Sequence, residues 1–70
     1  MKLKFFIEAN RKRPDEMGKL CRILLSDSLI NWHGSKYDQL RRVTEYRKKF
    51  GQPVLDEFFN EFKDAEYERR

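Results

Sequence analysis

Seventy residues, 39% of them apolar and 14% aromatic, make one small domain with too much core-forming material for a disordered tail and too little chain for a deep cleft. Charged residues are 40% of the chain and the net charge is +4, a balance that favours an anionic partner and is also what keeps an ordinary small domain soluble. One cysteine excludes an internal disulfide, and no apolar run reaches the length of a leader core or a bilayer span, so a soluble protein of the reducing cytoplasm with no membrane partner is expected.

The first ten residues, MKLKFFIEAN, fit two forms. Leu3, Phe5 and Ile7 alternate as a single strand would, whereas Leu3, Phe6 and Ile7 suit one face of a short helix. A lone strand has no partner among helices, so the strand reading implies pairing with a second copy as a homodimer or with another protein.

Three principal helices follow, predicted over about 14–30, 35–50 and 53–67, and together they make an all-α compact bundle in one domain. Pro14 suits a first helical turn, with Asp15 and Glu16 behind it where negative charge meets exposed N–H groups. Met17, Leu20, Cys21, Leu24 and Leu25 recur in three- and four-residue steps, and Ile23, Leu29 and Ile30 widen the stripe, as expected of a central helix. Asn31-Trp32-His33-Gly34 breaks the pattern, and Ser35 is placed to cap the next helix, with Asp38 three residues on. Gly51 supplies a left-handed stop. Pro53 then opens a third helix with Val54, Leu55, Phe58, Phe59, Phe62 and Ala65 on one stripe. Residues 66–70 are expected to fray.

Most chemistry is excluded. Cys21 and His33 stand alone, so neither a zinc site nor any other cofactor site is indicated, and a cysteine in an apolar stripe behaves as a small hydrophobe. The glycines are isolated and form no phosphate loop. Asp15 and the Glu61-Phe62-Lys63 triplet loosely echo a nuclease pattern, but both fall in helices and not on adjacent strands sharing magnesium. A non-enzymatic protein is expected.

Charge is segregated, with +3 over residues 1–20, +4 over 21–50 and −3 over 51–70. On the second helix Leu40, Val43, Thr44 and Phe50 fall on one half and Arg41, Arg42, Lys48 and Lys49 on the other. Arg47 turns into the apolar half, where it would lie along the core or pair with Glu57 or Glu61.

Two binding functions compete. A helix, a glycine-containing turn and a second basic helix follow the general plan of a helix-turn-helix, in which Lys36, Gln39, Arg42 and Tyr46 would face forward. A regulatory nucleic-acid-binding protein would neutralise phosphates with Arg11, Lys12, Arg13, Arg41, Arg42, Lys48 and Lys49 and offer Gln39 to a base edge. The alternative is a protein–protein interaction module, an inhibitor or adaptor of a larger machine, anchored by Phe5, Phe6, Trp32 and Tyr67.

Overall fold

Leu3, Phe6 and Ile7 are buried at steps of three and four, and that spacing makes the N-terminal segment a helix, α1 (Leu3–Asn10). The computed structural model describes residues 2–68; of the fraying expected over 66–70, residues 66–68 are helical instead, and residues 69 and 70 lie outside the described residues. The strand reading is corrected, and its exposed edge for a second copy goes with it. Phe6 is corrected as well: it packs against Phe58 and Phe62, with ring centroids 5.4 and 5.3 Å away, and is no partner anchor. Burying each such ring contributes about 1.5–3 kcal/mol.

The second helix, α2 (Glu16–Ser26), starts one residue after its cap. Asp15 caps it by accepting the Gly18 N–H at 3.0 Å, so Pro14 precedes the helix and does not open it. Met17, Leu20, Cys21 and Leu24 form the buried stripe. The helix ends earlier than predicted because Asp27 turns extended, with ψ at 110°, and its Oδ1 accepts the Leu29 N–H at 2.8 Å. Ile30 returns to the core, whereas Leu29 is left 71% exposed.

The predicted 35–50 helix is split into α3 (Lys36–Thr44) and α4 (Arg47–Phe50). Ser35 caps α3 as expected, accepting the Asp38 N–H at 3.2 Å. At the break the Glu45 and Tyr46 N–H groups bond to carbonyls three residues back, and Thr44 Oγ1 donates to the Leu40 carbonyl at 2.8 Å. Both features tighten and bend a helix end. Gly51 then turns the chain with φ 89° and ψ 155°, a glycine-only region distinct from the left-handed helical one.

The final helix, α5 (Gln52–Glu68), lays Leu55, Phe58 and Phe62 into the core. It packs against α1, α2 and α4, and α1 packs against α2. The remaining element, α3, is held mainly by its side chains, with Val43 in the core and polar groups reaching α2, α5 and the 30–34 turn. No helix among the described residues is long and apolar enough to cross a membrane.

Candidate nucleic-acid interface

Arg13 does not face solvent as a phosphate contact would. Its Nη2 lies 2.7 Å from Asp15 Oδ2 and 3.3 Å from Glu57 Oε1, and its Nη1 lies 2.9 Å from Glu61 Oε1. The Asp15 hydrogen bond, ahead of the one to Glu61, holds the guanidinium above its ordinary value, and Arg13 in turn holds the Asp15 carboxyl below its own. Asp15 and Glu61 thus meet after all, and what they share is an arginine. Arg13 also takes the carboxylates that Arg47 was expected to reach, which leaves Arg47 exposed with no ion-pair partner among the described residues.

The forward face expected of a recognition helix points inward. Gln39 is 8% exposed, and its Nε2 lies 3.2 Å from the Asn31 carbonyl, 3.3 Å from that of Trp32 and 3.2 Å from that of Gly34. Its amide is committed to the turn and is not free for a base edge. Arg42 Nε reaches Asp27 Oδ2 at 2.8 Å, Arg42 Nη1 reaches Glu45 Oε1 at 2.7 Å, and the Tyr46 hydroxyl donates to the same Asp27 oxygen. Lys36 Nζ pairs with Glu66 Oε2 at 2.7 Å. The spacing 36, 39, 42, 46 therefore marks the seam that fastens α3 to the bundle. The two expected basic clusters are tied to different parts of the fold, Arg13 to α5 and Arg42 to Asp27, the residue that ends α2.

Arg11, Lys12, Arg41, Lys48 and Lys49 remain exposed with no carboxylate partner among the described residues. The ion pairs redistribute the net +4 over the molecule without changing it. Arg13, Lys19, Lys36 and Arg42 are four cations, and between them they hold seven carboxylates. The paired clusters are therefore net acidic, and the positive charge is concentrated on the cations outside them. Arg22, exposed, spends its Nη1 on the carbonyls of Arg11 and Arg13, at 2.7 and 3.1 Å, and so shapes the link that carries Arg11 and Lys12.

A second cationic area brings together residues expected in different sites, Phe5 and Trp32 as partner anchors and Lys36 as a nucleic-acid contact, with Lys2 and Lys4, which belong to neither. An open cleft of about 740 Å³ lies between the start of α1, the 30–34 turn and the end of α5, with Lys2, Lys4, Phe5, Trp32, His33 and Lys36 among its walls. Phe5 is 58% exposed, and Trp32 is half-buried against the core. The Lys2 and Lys4 ammonium groups stand 6.0 Å from the ring centroids of Phe5 and Trp32 respectively. The interleaved Lys2, Lys4 and Phe5 were the available signal, but in the sequence they bear first on the choice between strand and helix. Tyr67 is 55% exposed on α5.

Cys21 is fully buried, and burial pushes its thiol up to about 11, which suits a packing residue and not a nucleophile. Among the described residues no group of three or more His, Cys, Asp or Glu is arranged to hold a metal ion. No protein family, curated protein or solved structure matches this chain.

Proposed function

We propose that this chain is a small non-enzymatic regulatory protein that binds nucleic acid through its phosphate backbone. The observation that carries the reading is that Arg11, Lys12, Arg41, Lys48 and Lys49 are exposed and have no carboxylate partner among the described residues. Cations in that state release condensed counterions when they meet phosphates, and this is the main source of sequence-independent affinity. Reading of base edges by α3 is not part of the proposal, because Gln39 and Arg42 are engaged inside the protein.

The test is fluorescence anisotropy of labelled duplex and single-stranded oligonucleotides at rising salt. Affinity should fall steeply, and replacing Arg41, Lys48 and Lys49 by alanine should reduce the logarithmic slope by about 0.9 for each duplex phosphate that is no longer neutralised. Absence of binding at low salt, or binding indifferent to salt, overturns the reading. A protein-binding module is the second reading, favoured by Leu29 and Tyr37, which are 71% and 86% exposed on either side of the 30–34 turn. Stoichiometric, nuclease-resistant association with a protein partner would support it.

A further inference from the structure

Trp32, the only tryptophan in the chain, shares a cleft with Phe5 and with three lysines, Lys2, Lys4 and Lys36. The acid in the same wall, Glu66, is already matched by Lys36 at 2.7 Å, so the charges of Lys2 and Lys4 stand uncompensated over the two rings. We propose that this cleft seats a base and the adjoining phosphates of a single-stranded nucleic-acid segment. The proposal rests on the nucleic-acid reading above and names a site and a strand state for it.

The chemistry of the walls selects that occupant. Ammonium groups 6.0 Å from the ring centroids sit at the outer limit of a cation–π contact, on flexible stems. A phosphate draws such a group off the ring, and the uncovered face then accepts the flat face of a base. Aromatic platforms flanked by cations hold single strands in this way, with little regard for sequence. A duplex keeps its bases stacked inside and offers no free face. An apolar helix laid in the cleft would bury Lys2 and Lys4 without partners, which is strongly unfavourable.

The platform is also fixed before any ligand arrives. Gln39 holds the carbonyls of Asn31, Trp32 and Gly34 from below, and Trp32 packs on the core. Ordering the turn therefore adds little to the cost of binding.

Trp32 emission reports on the cleft directly, and anisotropy of a labelled oligonucleotide reports on binding anywhere. A short oligothymidylate should bind more tightly than a hairpin duplex of matched length and should quench Trp32 as it saturates. Lys4→Ala combined with Phe5→Ala should weaken the single strand by about tenfold or more and leave the duplex unchanged. Alanine at Arg41, Lys48 and Lys49 should weaken both while quenching at saturation persists.

An anisotropy change with unaltered Trp32 emission removes the cleft and leaves the nucleic-acid reading standing. Equal affinity for strand and duplex, or equal quenching by polyglutamate, also overturns the cleft. No anisotropy change with either oligonucleotide removes both. The wild-type titration carries this test if the double variant fails to fold.

Discussion

The Tyr46 hydroxyl donates to Asp27 Oδ2 at 2.7 Å, and the same oxygen receives Arg42 Nε at 2.8 Å. One carboxylate therefore holds two residues that flank the α3–α4 break. The Asp27 side chain is 5% exposed. Desolvation pushes its carboxyl upward, but the donors from Tyr46, the Leu29 N–H and Arg42 together override that, and the net value lies below the ordinary 3.8. A depressed carboxyl contributes stability that is present above the unfolded value and lost as pH falls through the folded one. The urea midpoint should hold from neutral pH to about pH 4 and decline below it. Tyr46→Phe removes one donor and brings the folded value closer to the unfolded one, so its decline below about pH 4 should be smaller than that of the wild type. Coincident curves for variant and wild type would refute the assignment.

At Gly18 the helix start and the preceding link come into contact. A Cβ there would collide with the Arg13 carbonyl, while the Gly18 N–H is already engaged by Asp15. Alanine normally stabilises a helix by about 1 kcal/mol relative to glycine, yet forced overpacking costs about 1–3 kcal/mol. Gly18→Ala should therefore destabilise in urea denaturation. Gly34→Ala should cost less, since its Cβ would approach the Asn31 amide nitrogen, at 2.9 Å, on a side chain able to move.

Gln39→Leu tests the polar floor of the 30–34 turn. Leucine fits the volume but leaves the carbonyls of Asn31, Trp32 and Gly34 without the Nε2 donor. The expected loss is about 1–3 kcal/mol, with faster hydrogen exchange in residues 31–39 than elsewhere. If the proposed cleft binds a strand, this variant should also weaken the single strand more than the duplex.

Helix existence is legible in the chain because periodicity and punctuation agree. The stripe Met17, Leu20, Cys21, Leu24 and the cap Ser35 read directly as structure. The 35–50 stretch reads as one helix in the sequence because part of what holds its break is tertiary. Asp27, nineteen residues away, holds Tyr46, and no local propensity signals that. The site is less legible still. Gln39, Arg42 and Tyr46 are polar at helical spacing, which suits an outward binding face and an inward polar seam equally. Only the carbonyls and carboxylates of other elements distinguish the two. Composition fixes how many cations a chain has, whereas folding decides which of them are matched. Arg13 looks like a free charge in the sequence although it holds three carboxylates in the fold.

That threefold arrangement bears on acid stability. Asp15 caps α2, Glu57 and Glu61 lie on α5, and the Arg13 guanidinium is what allows the three to converge. With Arg13 present the Asp15 carboxyl is depressed, first by the Arg13 hydrogen bond and then by the Gly18 N–H, so its contribution fades as the solution is acidified. Arg13→Leu reverses the sign. Three carboxylates are then left near one another without their cation, and the repulsion between like charges costs the variant stability at neutral pH that it regains on acidification. The gap between wild-type and variant urea midpoints should therefore be widest near neutral pH and should narrow at about pH 4 and below. Parallel midpoints across that range would mean that the carboxylates splay into water on losing the arginine. Arg13 would then be a packing residue and not the charge that joins α5 to the start of α2.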